Sequence, residues 1–473
     1  MQATRHRRIL TSFNAACVTT LAAIATLLCA LALQRSAAIA VLGVMLCLSL
    51  SRSELERERH GRFEAAVALP LVGLAAIGVG MLLHRLPWLG GLLFTLAIAL
   101  SIWLRRFGPT AARIGSLAGL PFVALLVTPH LAPSADGVVP SFMLPILVGW
   151  LALFWVGVLH AGARRAGVPL PPRKPPPPSA AAKTESSLRP DGTTRMALQM
   201  AASLALSFAV GFIFFRERWS WIVVTAFIVA SGNRGRLDVA YKSLLRVGGA
   251  AAGTVVSLVL SGHTGGHGAA TAAFIMAALF IGTWLRPFGY AWWALCVTIA
   301  LALLQGFAGD ASPAGMLWAR LEEIVIGALI AVACAWFLLP VRSSGVLRRR
   351  LADALAALSD AFDPAQEQRW VAPFVVSLGG IEHMAPAFRA ARALTSRFVR
   401  VQPADWIDLL LACREPACAL FEAGQAPAEV RRAIGAARKA LREPDQLASA
   451  LLALQSALTA QFTSLPRRTE AAS

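Results

Sequence analysis

Residues Trp219 to Gly253 read WSWIVVTAFIVASGNRGRLDVAYKSLLRVGGAAAG. An apolar run over 219–232 is followed by Arg234, Arg236, Lys242 and Arg246, and then by a second apolar run. A helix needs about 20 apolar residues to cross a hydrocarbon core. At 14 residues, the first run is short enough to be re-entrant rather than spanning. The charges decide the question, because basic loops stay on the cytoplasmic side. If 219–232 does not cross, its basic cluster faces the wrong side, and so does every cluster after it. The run is therefore expected to be a thin membrane span. The same reasoning applies to 37–50, which precedes Arg52, Arg57, Arg59 and Arg62.

Working outward, apolar blocks recur along the chain. Spans are expected over 13–33, 37–50, 65–83, 88–104, 114–128 and 142–160, then over 196–215, 219–232, 244–261, 269–285, 289–307 and 321–340. The chain is 57% hydrophobic and 15% charged over 473 residues, whereas a soluble domain is about 45–50% apolar and about 25% charged. With both termini inside, 22 of the 27 basic residues before position 341 fall on the cytoplasmic side and five on the other. Those five are Arg35, Arg85, Arg216, Arg218 and Arg320. The period-2 alternation of a membrane barrel is missing. The sequence thus implies an all-α polytopic membrane protein of about twelve helices in the lipid bilayer. The net charge of +19 lies mostly in loops between apolar blocks, so nucleic acid is not an expected partner. Arg5-His6-Arg7-Arg8 and the long apolar run behind it read as an uncleaved first span.

The two halves resemble each other. Trp103-Leu104-Arg105-Arg106-Phe107-Gly108 matches Trp284-Leu285-Arg286-Pro287-Phe288-Gly289 at five of six positions, 181 residues apart. An even number of spans per half predicts parallel repeats, related by an axis along the membrane normal. The domains expected are a first membrane repeat at 1–160, a Pro-rich cytoplasmic linker at 161–195, a second repeat at 196–340 and a helical cytoplasmic tail at 341–473. The linker holds Pro175–Pro178, a stiff polyproline run. In the tail, Leu347, Leu351, Leu355, Leu358 and Phe362 recur at helical spacing, with Arg348–Arg350 opposite. Further helices are expected near 382–400, 404–422, 427–442 and 446–463. The tail reads as a helical bundle or a dimerisation element, making a homo-oligomer an expected partner state.

No catalytic constellation stands out, so the chain does not read as an enzyme and no cofactor is expected. The phosphate loop of a built-in ATPase is missing. The seven cysteines lack the close spacing of a zinc or redox site and read as small buried hydrophobes. His263 and His267 have the i,i+4 spacing of metal ligands but lie in a Gly-rich loop. Paired short segments in corresponding halves point to a transporter's site. Here they are the second and eighth spans, which directs attention to Trp221, Thr225 and Arg246, with Trp219 and Trp221 also readable as interfacial anchors. Gly249 and Gly253 form a GxxxG step for close helix packing. Arg320, Glu322 and Glu323 open the last span. Ionisable residues inside membranes are costly and often functional, although all three could instead snorkel at the interface.

The same residues carry a family resemblance. Trp221, Thr225 and Val229, then Lys242, Arg246, Gly249 and Gly253, resemble the signature of the FUSC family, the fusaric acid resistance and aromatic acid exporter proteins. The stretch from Arg320 through Gly327 to Pro340 is similar too, and the resemblance covers about 195–362. It implies an inner-membrane exporter of aromatic or other organic acids, with a small organic anion as substrate. Two alternatives stay open. One is a passive anion channel, since plant malate channels resemble the same superfamily. The other is a non-transporting scaffold whose tail recruits a partner.

Overall fold

The computed structural model describes residues 2–33, 37–53, 59–107, 143–171, 192–216, 218–232, 234–264, 269–307, 313–365, 369–398 and 402–464, and singly Ala111, Gly115, Gly119, Phe122 and Leu126. The described residues form helices and turns, with no strand among them. Before residue 340 the helices are α1 (Gln2–Leu33), α2 (Ala37–Ser53), α3 (Arg59–Arg85), α4 (Pro87–Trp103), α5 (Leu144–Arg165), α6 (Gly192–Phe214), α7 (Trp219–Ala230), α8 (Arg236–Thr264), α9 (Ala269–Leu285), α10 (Tyr290–Phe307) and α11 (Pro313–Phe337). Seven of them, α1, α3, α4, α5, α6, α8 and α9, are long and apolar enough to cross a membrane. The chain is a multi-pass membrane protein. Helix α11 is long enough as well but carries Arg320, Glu322 and Glu323. Helices α2, α7 and α10 contain shorter apolar stretches. Most of the fifth expected span, 114–128, and of the Pro-rich linker lies outside the described residues, as does His267. Of that span Gly115, Gly119, Phe122 and Leu126 are described, and Phe122 and Leu126 belong to a buried cluster with Phe94 and Phe208.

The chain divides into two compact units. In the first, α1, α2 and α5 pack on one another, and so do α6, α7 and α11. Helix α4 packs on α6, and α1 packs on α9. Aromatic edges fill both seams. Phe94 meets Phe208 at 5.4 Å and Trp88 meets Phe212 at 5.3 Å, while Phe13 meets Phe280 at 5.5 Å and Trp284 at 5.2 Å. Gly91 admits the Phe208 ring, since a Cβ there would stand 3.2 Å from it. Helix ends recur at or within one residue of the interval of the sequence match. Helix α1 ends at Leu33 and α6 at Phe214; α4 ends at Trp103 and α9 at Leu285, one residue beyond it. Both α4 and α9 run directly into a 3-10 turn, Leu104–Phe107 and Arg286–Phe288.

The second unit contains Arg234–Tyr241 and the chain from Pro340 onward. Its helices are α12 (Ser343–Ala361), α13 (Ala372–Glu382), α14 (Ala385–Thr395), α15 (Pro403–Ala412), α16 (Arg414–Glu422), α17 (Ala428–Ala440) and α18 (Pro444–Thr463). Proline stands in the first turn of α13, α14, α15 and α18, where its missing N–H costs nothing. Two elements differ from the sequence reading. The helix expected over 382–400 is shorter and starts at Ala385 beside Pro386, with α13 preceding it, and the one expected over 404–422 is broken at Cys413, just before Pro416. Leu347, Leu351, Leu355 and Leu358 are fully buried in a core that also holds Phe374, Ile407, Ile434 and Leu454. Arg392 joins Asp405 at 2.6 Å and Asp408 at 3.1 Å, and Arg389 joins Asp408 at 2.6 Å. Arg234–Tyr241 enters this unit through backbone bonds. The Arg236 N–H donates to the Val341 carbonyl at 3.1 Å, and the Leu237 N–H donates to Ser343 Oγ at 3.0 Å.

Candidate functional site: buried charge around the short helix

Helix α7 has 12 residues, about 18 Å at 1.5 Å per residue. It is apolar on all sides, and eight of its residues are buried, Trp221, Ile222 and Thr225 among them. Such a helix needs neighbours that match it closely. Gly327 on α11 supplies one match, because a Cβ there would overlap the Ile222 carbonyl oxygen and stand 3.0 Å from Thr225 Cβ. The backbones of α7 and α11 therefore touch two turns along from Arg320.

That contact brings charge beside an aromatic face. Arg320 is 3% exposed, and its Cζ lies 3.8 Å from the centre of the Trp221 ring. A desolvated cation over an indole face gains about 2 kcal/mol. Glu323, three residues further along α11, is fully buried. Its Oε1 lies 3.4 Å from Arg218 Nε, and neither carboxylate oxygen has a hydrogen-bond partner among the described residues. Arg246 on α8 is 2% exposed and within electrostatic reach of Arg320. Thr225 is fully buried one turn from Trp221, and its hydroxyl has no partner among the described residues. Gly249 and Gly253 bring α8 against α10. A Cβ at Gly249 would stand 2.7 Å from the Ala291 carbonyl oxygen, and one at Gly253 would stand 2.7 Å from that of Leu295.

The structure corrects three placements. Arg246 does not stand at the start of its span. Helix α8 begins at Arg236, ten residues earlier, so Arg246 is nearly three turns inside the helix. Arg320 and Glu323 do not open theirs either, since α11 begins at Pro313. Both helices extend through polar residues that a hydropathy reading leaves in the loops. Snorkelling is thereby excluded for Arg320 and Glu323, which are buried, whereas Glu322 is exposed and stands outside the cluster. Arg218 is a residue that sequence reasoning missed, having assigned it to an outer loop. The available signal was its place directly before the short helix, where it forms the N-cap.

This cluster falls within a recognised segment. Residues 201–334 match the family model described as fusaric acid resistance protein-like. That segment is similar to the FUSC family. No curated protein and no solved structure matches the chain. The FUSC segment begins inside α6 and ends inside α11, so it holds Arg218, Trp221, Thr225, Arg246, Arg320, Glu323 and Gly327 together.

Buried ions cost several kcal/mol each unless paired. Among the described residues of the membrane unit, the buried ionisable groups are Arg246, Arg320, Glu323 and His160. His160 lies elsewhere, in a chain with Ser51 at 3.2 Å and Thr19 at 2.6 Å beyond it. Arg246, Arg320 and Glu323 are thus buried ionisable groups within the matched segment, with the Trp221 ring against Arg320.

Proposed function

We propose that this protein is a secondary transporter that exports small organic anions, aromatic carboxylates foremost, across a bacterial inner membrane. The observation that carries this reading is the burial of Arg246, Arg320 and Glu323 together with the Trp221 ring against Arg320, inside the segment that matches the family. In this reading Trp221 and Thr225 shape the site and Arg246 and Arg320 bind the carboxylate. In this reading the chain is a carrier and not an enzyme. Its membrane part consists of twelve helices in two parallel repeats, with both termini cytoplasmic. The recurrence of helix ends supports the repeat, as does the pairing of the seams, α4 on α6 and α9 on α1.

The test is transport by the purified full chain in proteoliposomes. Radiolabelled benzoate, salicylate and malate would be followed with and without a pH gradient. The reading expects saturable uptake of the aromatic acids, driven by the gradient. Absence of saturable movement for all three would refute it, and gradient-independent unitary currents would assign the protein to the channels.

A further inference from the structure

A buried hydroxyl on a helix can return its proton to a carbonyl one turn earlier. Thr95, Ser257 and Thr298 do so, at 2.8, 2.7 and 2.8 Å. Ser203 and Ser207 on α6 and Thr225 on α7 do not. Ser203 is 1% exposed and the other two are fully buried, and none of the three hydroxyls has a hydrogen-bond partner among the described residues. A buried hydroxyl left alone is costly, and folded proteins satisfy such groups with protein or with ordered water.

The three hydroxyls share one seam. Gln199, Ser203, Ser207 and Gly211 follow one another at four-residue spacing on α6, and all are buried. Both ends of this stripe have fixed neighbours. Gln199 donates to the Leu338 and Leu339 carbonyls at 2.9 and 3.1 Å, just past the end of α11. A Cβ at Gly211 would stand 2.6 Å from Trp219 Cβ, at the start of α7. Each four-residue step turns the stripe by about 40°, so Ser203 and Ser207 face between α11 and α7. Thr225 faces the same seam from α7, since a Cβ at Gly327 of α11 would stand 3.0 Å from Thr225 Cβ. Glu323 stands one turn before Gly327, buried, with neither carboxylate oxygen hydrogen-bonded among the described residues.

The spacing suits water. With Gly211 against Trp219, and with Met200, Leu204, Val223 and Val224 in one core, α7 runs back along α6. Measured from the contact at Gly211, Ser207 lies about 6 Å along, Thr225 about 9 Å and Ser203 about 12 Å, at 1.5 Å per residue. A hydroxyl, a water and a second hydroxyl in line span about 5.5 Å. Glu323 heads the row, beside Arg218 at 3.4 Å.

We propose that Ser203, Ser207 and Thr225 hold a file of water molecules that carries protons between Glu323 and the Gln199 end of the seam. Each water takes a proton from one neighbour and gives one to the next, so the file keeps its composition while Glu323 gains or loses one proton. The charged groups acting on that carboxylate are Arg218 and Arg320, with the exposed Glu322 beside it, and Arg246 acts on Arg320. Between Gln199 and Phe214, and along α7, there is no titratable side chain. The purpose of the protons rests on the transporter reading; the hydration of the seam does not.

The experiment uses the full chain. In nanodiscs, cryo-electron microscopy at a resolution that shows ordered water is expected to find density within hydrogen-bond distance of the Ser203, Ser207 and Thr225 hydroxyls. A dry seam overturns the inference. The double variant Ser203→Ala, Ser207→Ala gives a second reading by sign. Removing dry, unpaired hydroxyls raises the thermal midpoint, whereas removing hydroxyls that hold water lowers it, by about 2–4 °C. In proteoliposomes loaded with the pH dye pyranine, the variant is expected to slow benzoate-coupled proton movement about tenfold, the equivalent of one lost hydrogen bond. Benzoate binding by equilibrium dialysis should stay unchanged. A raised midpoint, unslowed protons, or slowing matched by lost benzoate binding overturns the inference. If the wild type moves no benzoate, the transporter reading falls by itself. The two chains are then compared under an imposed pH gradient alone, where equal proton rates overturn the file.

Discussion

Gly327→Ala tests whether the close approach of α7 and α11 builds the site. A Cβ at 327 would overlap the Ile222 carbonyl oxygen and lie 3.0 Å from Thr225 Cβ. Two carbons prefer about 3.5–4.0 Å. The obstacle on α7 includes backbone, which cannot rotate away, so the helices must part by about half an ångström or more. Overpacking of this kind costs about 1–3 kcal/mol. Alanine returns about 1 kcal/mol of helix propensity over glycine, leaving a net loss of up to about 2 kcal/mol. The separation also opens the stack of Arg320 on Trp221, now 3.8 Å, two turns away. Benzoate affinity should fall about tenfold, equivalent to about 1.4 kcal/mol. The assay is a detergent unfolding titration beside a benzoate transport KM. Gly345→Ala is the control, since a Cβ there meets nothing within 4 Å and should be neutral or stabilising. Wild-type stability together with unchanged benzoate KM in Gly327→Ala would refute the reasoning.

Three further outcomes concern the second unit. Gly235 has φ +121°, and a Cβ there would stand 2.6 Å from Ser343 Oγ, so Gly235→Ala should destabilise that unit by about 1–3 kcal/mol in thermal denaturation; an unmoved transition would count against the contact. Arg392→Ala removes the ion pairs to Asp405 and Asp408, which are about one-third to one-half exposed, so the loss should stay under about 1 kcal/mol and shrink in high salt; a larger, salt-independent loss would contradict this. Burial pushes the Cys413 thiol up to about 12 from its ordinary 9.0. Because the folded value is the raised one, the thiol's contribution is fully present below about pH 9 and is lost as pH climbs through 12, a change of about 4 kcal/mol at most. Cys413 should therefore resist iodoacetamide at pH 9 until the domain is unfolded, and alkylation at the rate of an unfolded thiol would show that it is not buried.

The helical character and the close helix approaches were legible in the sequence because they rest on local properties. The spacing of Leu347, Leu351, Leu355 and Leu358 marks one face, and that face is buried. Gly249 and Gly253 mark a close approach, and α10 fills it. What could not be read was depth. Hydropathy starts a helix where apolar residues start, yet α8 begins at Arg236 and α11 at Pro313 because helix geometry tolerates polar residues that pack against protein. Burial of Arg320 and Glu323 follows from a tertiary fact, the contact of Gly327 with α7, and no spacing rule encodes it. The separation of Glu322 from Glu323 is a consequence of helical rotation, since adjacent residues face directions about 100° apart.

The relation between the halves bears on what each brings to the site. At the interval of 181 residues, Arg218, Trp221, Thr225, Arg246, Arg320 and Glu323 correspond to Ala37, Ala40, Val44, Ala65, Val139 and Phe142. The first half has the matching short helix α2 but none of the charge. The charged groups near Trp221 come from α8 and α11 and the connection before α7, all after residue 195. In many repeat-built transporters the site lies between the repeats. If the proposed repeats hold, the first would contribute to such a site through packing, as α4 does against α6, and not through matching charges.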